Sequence, residues 1–156
     1  KISNCGAHAM DIMRMESGFL HWGHDISPEE NQYQAGLGFT INYKKNVKFI
    51  GKEALLKIKE KEINKRLLMF TLENSKPGEP LMLHDEPIYL ENKIIGRTTS
   101  GNFSFNFNKN LSYGYVNSGN TKESLKNAKI FIEIEKKKYP AKVLNKPLNN
   151  SNYKTI

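Results

Sequence analysis

The chain has 156 residues, 38% of them hydrophobic, and a net charge of +8, which fits one or two small folded domains. No apolar run approaches the roughly 18–20 residues of a membrane-spanning helix, and the opening KISNCGAHAM lacks the apolar segment of a signal peptide. A single cysteine, Cys5, excludes an intramolecular disulfide and a paired-cysteine metal site, and it favours a reducing, cytoplasmic location.

The positive charge is nearly all lysine, which argues against a nucleic-acid-binding surface. Arg14, Arg66 and Arg97 are the only arginines, whereas nucleic-acid-binding proteins use arginine for bidentate contacts. The lysines are scattered and mixed with glutamate, as in KIKEKEINK at 57–65. We interpret them as a solvated face, although a basic chain still favours a polyanionic ligand.

The first part of the chain predicts helices and one strand. Apolar residues at helical spacing predict a helix between Gly6 and Gly18, with the second glycine as its stop. Ser27-Pro28-Glu29-Glu30 has the pattern of a helix start, and AGLGFTINY at 35–43 is typical of a strand whose glycines allow a close backbone approach. Gly51 begins a further helix that runs through Ile58.

After residue 62 the pattern changes to short strands joined by turns. Lys76-Pro77-Gly78 predicts a turn, and Glu91-Asn92 predicts the tip of a hairpin. This density of strands indicates a small barrel or sandwich, so the predicted fold class is α+β. The predicted strands are 66–72, 87–90, 93–101, 111–116, 129–135 and 139–145.

Arg14 is the first candidate for a ligand-binding residue. It is the only arginine in the first 65 residues and lies between two methionines on an otherwise apolar helix. A guanidinium there must extend to solvent, pair with an acid or face a ligand. Composition alone favours an ion pair with Asp11, Glu16 or a more distant acid.

Three further motifs each have a structural and a functional interpretation. Trp22, the lone tryptophan, is either a buried anchor or a stacking surface for a ligand. The spacing of His21, His24 and Asp25 does not match a known metal motif, so no metal site is predicted, and His24 is interpreted as structural or as tuning protonation near neutral pH. GRTTSG at 96–101 is interpreted as a strand that ends at a glycine turn and packs the barrel against the preceding domain.

Six segments, in this order, resemble the folate-binding aminomethyltransferase family, whose type member is the glycine cleavage T-protein. The resemblance implies that residues 1–62 are the C-terminal part of a folate-binding domain and that residues 63–156 form the family's C-terminal β-barrel. The fold would then be the end of an α/β domain followed by a small antiparallel barrel. The segments are MRME at 13–16, WGHD at 22–25, GLGF at 36–39, FIGKEAL at 49–55, GRTTSGNFSF at 96–105 and SYGYVN at 112–117.

The resemblance also implies a ligand and its binding residues. The cofactor would be tetrahydrofolate, held by Arg14, which matches the arginine of the family's LRLE-type segment, and by Trp22 and Phe39, which stand where the family lines its folate cavity with aromatics. Glu16 would help to orient Arg14. The family's catalytic aspartate lies upstream, so no catalytic residue is expected here and the isolated chain is expected to be inactive.

The WGHD form resembles the dimethylglycine and sarcosine dehydrogenase branch, which implies FAD on a missing upstream domain. The expected partners are folate, the missing N-terminal part of the same protein and a lipoyl carrier protein, with no nucleic acid and no membrane. A folate-dependent demethylase of the same fold and a noncatalytic basic interaction module stay open as alternatives. The tRNA-modifying branch is disfavoured, because FIGKEAL stands in place of its cysteine-bearing motif.

Overall fold

A computed structural model of the protein describes residues 4–45 and 47–148, and the strands in this part close into an antiparallel barrel. Around the barrel the order is β1-β4-β3-β2-β5-β6, and β6 pairs back onto β1 through Phe70–Leu72. The predicted barrel is therefore confirmed. The strands are β1 (Lys65–Leu72), β2 (Pro87–Leu90), β3 (Lys93–Ser104), β4 (Lys109–Asn117), β5 (Ile130–Ile134) and β6 (Lys137–Val143).

Three α-helices and one 3₁₀ turn accompany the strands in the described residues. The predicted helices appear as α1 (Ala7–Glu16) and α2 (Lys52–Lys59), and the latter is preceded by Gly51 in the left-handed conformation. Sequence patterns missed the short α3 (Lys122–Leu125), which Thr121 caps by accepting a hydrogen bond from the Ser124 N–H. None of the helices described is both long and apolar enough to cross a membrane.

The barrel interior is filled by side chains that alternate along each strand. In β5 the isoleucines at 130, 132 and 134 are buried, while Phe131 and Glu133 are half-buried. The interior residues are Leu68, Phe70, Leu72, Met82, Ile88, Ile95, Val116, Leu125, Ile130, Ile132, Ile134 and Ala141.

Strand β1 is buried on both faces because a second apolar cluster, to which Ile12 and Met15 of α1 belong, covers the outside of the barrel at this point. Leu68, Phe70 and Leu72 point into the barrel, whereas Leu67 and Met69 belong to this second cluster on its outer wall. A strand covered on both sides needs apolar residues at successive positions, which explains the unbroken LLMF run. The outer cluster is Ile12, Met15, Leu67, Met69, Leu111 and Tyr113.

The helix predicted to start at Ser27 does not form. The Glu30 carboxylate accepts hydrogen bonds from the Ser27 N–H (2.9 Å) and hydroxyl (2.6 Å), so the capping residues close a turn instead. Asn31 Oδ1 then accepts from the Gln34 N–H, and Gly36, at φ +73°, ends this second turn. Side-chain bonds to the local backbone thus compete successfully with helix propagation.

The strand predicted at 35–43 is also wrong. This segment contains a 3₁₀ turn, Gly38–Thr40, and Gly36 has a positive φ that interrupts an extended backbone. The residue just before it, Gln34, is linked to the barrel through its carbonyl, which accepts a hydrogen bond from the Leu67 N–H at 2.8 Å. A strand without a partner leaves its backbone groups unpaired, so the segment turns on itself.

GRTTSG does not end a strand, because β3 continues through Gly101 to Ser104. The predicted packing role is nevertheless confirmed by bonds from Thr99 and Ser100 to Asp25 in the segment after α1. The domain boundary at residue 62 stays a prediction; β1 begins at Lys65. Residues 149–156 lie outside the described residues.

Replacing Gly96 with alanine is expected to lower the free energy of unfolding by about 3 kcal/mol, because overpacking a rigid site is costly. A Cβ there would lie 1.9 Å from the Tyr115 carbonyl oxygen on β4, where backbone has to move. Chemical denaturation measures the change. Gly6→Ala is the matched control, since nothing lies within 4 Å of its added Cβ; equal stability of both variants would contradict the prediction.

Candidate functional site

A cavity of about 530 Å³ lies beside α1, at the outer wall of the barrel. We call it the Arg14 cavity. Its lining comes from α1, from the loop that follows, from the segment before β2 and from the middle of β3. The lining residues are Ala7, His8, Met10, Asp11, Arg14, Leu20, His21, His24, Leu83, His84, Thr99, Ser100 and Gly101.

A fully buried carboxylate, Asp25, lies behind this cavity and joins its walls. Oδ1 accepts hydrogen bonds from the hydroxyls of Thr99 (2.6 Å) and Ser100 (2.7 Å). Oδ2 accepts from the His21 N–H (2.9 Å) and from Nη1 of Arg14. A carboxylate has about four acceptor sites, so these four hydrogen bonds use the full accepting capacity of Asp25. Asp25 thereby anchors the residues that bind it to one another.

A β-bulge explains how two successive residues of β3 reach the same carboxylate oxygen. Thr98 is opposite Gly114 and Ser100 is opposite Tyr113, so Thr99 is the extra residue of the bulge. Regular strands direct consecutive side chains to opposite faces. The bulge removes that alternation locally and brings both hydroxyls to Asp25.

Arg14 is held along its whole guanidinium group. Nη1 pairs with Asp25 and also donates to the Phe19 carbonyl (3.2 Å), and Nη2 donates to Ser100 Oγ (2.7 Å). The Nε edge faces Asp11, whose Oδ1 lies 2.8 Å from Nε and 2.8 Å from Nη2.

Asp11 is 30% exposed and lines the cavity, whereas Asp25 is buried. The edge of Arg14 that faces Asp11 is therefore paired with a partly exposed carboxylate at the surface of the cavity. The ion-pair interpretation of Arg14 is confirmed, with Asp11 and Asp25 as the partners. Its role toward folate stays a prediction.

Glu16 does not orient Arg14. Its buried carboxylate accepts hydrogen bonds from the Ser104 hydroxyl and from Nδ2 of Asn106 (2.9 Å) at the far end of β3. Residues two apart on a helix point in different directions, which separates the two side chains. Glu16 instead anchors the end of α1 to the barrel.

Trp22 and Phe39 do not line the Arg14 cavity. Trp22 is 65% exposed, so its interpretation as a buried anchor is wrong. Phe39 is 85% exposed and borders a separate cavity of about 270 Å³. Among the described residues, Leu20 is the only one that lines both the Arg14 cavity and the cavity beside Phe39.

Sequence analysis missed the histidines as a group. The chain has four, His8, His21, His24 and His84, and all of them line the Arg14 cavity. The ring centroids of His21 and His24 are 4.5 Å apart, and those of His24 and His84 are 6.4 Å apart. They come from three separate segments, so no local spacing reveals them. Within the described residues no set of three or more potential ligands is arranged to hold a metal ion.

Two tyrosines of β4, Tyr113 and Tyr115, interact with Asp25. Burial, together with the Asp25 carboxylate, raises the pKa of Tyr113 to about 12, against a smaller opposing effect of Arg14. Burial likewise raises the pKa of Tyr115, with Glu30 and Asp25 adding to it. Both phenols are therefore neutral at physiological pH, and the Tyr115 hydroxyl donates to the Asp25 carbonyl at 3.0 Å.

Comparison with known proteins gives two family matches. The model of the glycine cleavage T-protein C-terminal barrel domain matches residues 65–149, and the model of the GCVT N-terminal domain matches residues 1–45. The first match covers more than half of the chain and includes every strand of the barrel.

Individual relatives agree with these matches. Human mitochondrial dimethylglycine dehydrogenase is 33% identical over 147 residues, which is 94% of this chain but 16% of that protein. An aminomethyltransferase from Symbiobacterium thermophilum is 37% identical over 112 residues, 72% of this chain and 29% of the relative. The chain therefore spans less than a third of either relative.

A solved structure shares the fold. The glycine cleavage system aminomethyltransferase T from Bartonella henselae superposes with a TM-score of 0.74 at 24% identity, over 90% of this chain and 38% of that one.

Asp25→Asn is expected to lower the free energy of unfolding by roughly 3 kcal/mol, because it removes the charge that compensates the mostly buried Arg14. Thermal or urea unfolding measures the loss. Asp85→Asn is the matched control: its pair with Arg97 is exposed, so it is expected to cost less than about 1 kcal/mol. Similar losses in both variants would refute the role of Asp25 as anchor.

Glu30→Gln is expected to flatten the acid side of the stability profile. Burial raises the pKa of Glu30, but hydrogen bonds from Lys65 and Ser27 outweigh it and lower that pKa below its ordinary 4.5. A lowered folded-state pKa contributes stability above the unfolded pKa, which is lost as the pH falls through the folded value. Unfolding from about pH 6 down to about pH 3 should show a smaller loss in the variant; identical slopes would count against this assignment.

Proposed function

Because the chain belongs to the glycine cleavage T-protein family, we propose that it is part of a protein that transfers a one-carbon unit to tetrahydrofolate. The observation that carries this proposal is the Arg14 cavity, in which an anchored guanidinium stands beside apolar side chains. The chain spans only 16% of human dimethylglycine dehydrogenase and 29% of the Symbiobacterium thermophilum aminomethyltransferase, which supports the proposal that it works together with further parts of the same protein.

The cavity has the chemistry that a folate requires. Met10, Leu20 and Leu83 offer apolar surface for a flat ring system, and Arg14 offers a planar group that pairs with carboxylates or stacks on rings. Asp25 and Ser100 fix the orientation of that group before a ligand arrives. Preorganisation of this kind reduces the entropy lost on binding.

Tetrahydrofolate, when bound, supplies the amines that accept the one-carbon unit. The residues of this chain bind and orient it; Asp11 and Asp25 are both engaged with Arg14, and neither is assigned as an acid or base. Such a transfer depends on positioning and exclusion of water more than on covalent help. We therefore assign no catalytic residue to this chain and expect it to be inactive alone.

We propose ligand-stacking or covering roles for Trp22 and Phe39. Both side chains are largely exposed, so their aromatic faces are available to a ligand or to another part of the protein. Since they lie outside the lining of the Arg14 cavity, they would reach a folate only where it extends beyond that cavity.

The dehydrogenase branch is the favoured architecture within the family. The WGHD form of residues 22–25 supports it. On this proposal FAD would be held by a further domain. A lipoyl carrier would be the partner in the alternative, T-protein-like form; a folate-dependent demethylase is a further variant of the same chemistry.

Arg14→Ala is expected to weaken the binding of 5-formyltetrahydrofolate by about tenfold to a hundredfold, the usual effect of losing a charged hydrogen-bonding group. Titration calorimetry on the complete polypeptide that contains this chain measures it. Arg14→Lys keeps a cation beside Asp25 and is expected to fold normally while still binding more weakly, since an ammonium lacks the planar fork.

Arg66→Ala is the control, because Arg66 lies on β1 and does not line the Arg14 cavity. Asp11→Asn supplies the opposite test: it frees the outer edge of Arg14 and should strengthen binding several-fold. Folate affinity that is unchanged in both Arg14 variants, with salt-sensitive binding of other polyanions, would favour the noncatalytic basic module instead.

A further inference from the structure

We propose that residues 36–64 form a docking surface for an acidic, further part of the same protein. We call this segment the arm; it contains the 3₁₀ turn Gly38–Thr40 and the helix α2, and it ends just before β1. The inference rests on the proposed function only in taking the chain as part of a longer protein. It does not depend on the ligand of the Arg14 cavity.

The arm is held together by local contacts but buries no side chain among the residues that the structure describes. The Leu55 N–H donates to the Gly51 carbonyl at 2.9 Å within α2. The hydroxyls of Tyr33 and Tyr43 are hydrogen-bonded, and the Lys59 ammonium lies over the Tyr43 ring, 5.5 Å from its centroid. Every described residue of the arm is nevertheless half-buried or exposed. A helix of eight residues is marginal in water on its own, so α2 needs a surface to pack against.

Large apolar side chains are among those that the arm exposes. Five of the thirteen that are exposed in the described part of the chain belong to it: Phe39, Val47, Phe49, Ile50 and Leu56. Val47, Phe49 and Ile50 lie within four positions of one another in the loop that leads into α2, and Ile50 is fully exposed. Single exposed apolar residues are normal, whereas a cluster of them is typical of a surface that another molecule covers.

The charge of the arm defines the chemistry of what covers it. The arm has seven lysines and three glutamates, so less than a fifth of the chain carries half of its net charge of +8. Within the described residues no ion pair involves any of the seven lysines. A covering surface therefore gains from carboxylates around its apolar centre. The lysines are Lys44, Lys45, Lys48, Lys52, Lys57, Lys59 and Lys61.

A further part of the same protein fits this surface better than a second copy of the chain. Two arms carry the same charge and would repel each other. A tethered partner is present at an effective concentration in the millimolar range, so a small apolar cluster with a charged rim is sufficient for docking. Interfaces between domains of one polypeptide are of this kind, and they are more polar than obligate interfaces between subunits. Human dimethylglycine dehydrogenase and the Symbiobacterium thermophilum aminomethyltransferase both have further sequence beyond the part that this chain matches.

Hydrogen exchange of the α2 amides in the complete polypeptide, measured without folate, tests the docking surface. Docking should protect these amides about a hundredfold relative to an unstructured peptide of the same sequence, which is the effect of burying one large apolar side chain. Phe49→Asp/Ile50→Asp introduces two charges into the apolar contact and should remove most of that protection. The amides of β1 and β4 should exchange as in the unsubstituted protein, which shows that the barrel is intact.

Lys48→Glu/Lys52→Glu tests the charge of the covering surface. It should lower the protection of α2 about tenfold at low salt, and the difference from the unsubstituted protein should shrink at about 0.5 M salt, because ions screen exposed charges. Lys136→Glu/Lys137→Glu, at the turn between β5 and β6, is the matched charge control, and Ile94→Asp on β3 is the matched apolar control. These residues are exposed but lie outside the arm, so both controls should leave α2 unchanged.

The outcomes separate the two proposals. If the α2 amides exchange as fast as the unstructured peptide, or stay protected in Phe49→Asp/Ile50→Asp, the docking surface is overturned and the proposed function stands, since no folate is present. Protection that rises with protein concentration would identify a second copy as the occupant, and protection that requires vesicles of anionic lipid would identify a membrane; each of these also overturns the proposal. Absence of folate binding in the complete polypeptide would overturn the proposed function and leave the exchange result unaffected.

Discussion

The buried carboxylate of Asp25 is the constraint on which the site depends. It lies where α1, the loop after it and β3 come together, and it holds a group from each: Arg14, the His21 N–H and the hydroxyls of Thr99 and Ser100. A charge without solvent is tolerated only when it is paired and fully hydrogen-bonded. The requirement to satisfy Asp25 therefore fixes the wall of the cavity as well as the direction of Arg14.

Most of the barrel could be predicted from the sequence because its signals are local. The alternation of Ile130, Ile132 and Ile134 and the turn residues at Glu91-Asn92 each report the structure of their own segment. The failures occur where local signals compete. Ser27 and Glu30 have the chemistry of a helix cap, but the same groups satisfy a turn equally well, and no sequence pattern decides between them.

The candidate site was less predictable because it is assembled from distant residues. Arg14 stands out as a lone arginine on an apolar helix, yet its partner Asp25 and the hydroxyls of β3 are 11 to 86 positions away. The shared cavity of the four histidines likewise requires the fold. Trp22 shows that residue type alone does not decide burial: a lone tryptophan is expected in the interior, but this one is exposed.

The bulge at Thr99 has a consequence for how this architecture can be recombined. A barrel with the same strands but a regular β3 would present one of the two hydroxyls to Asp25 and turn the next side chain toward the interior. The helical segment and the barrel are therefore matched through a single extra residue. A chimera that joins this first segment to a relative's barrel should function as a unit only when that barrel brings a bulge at the same place.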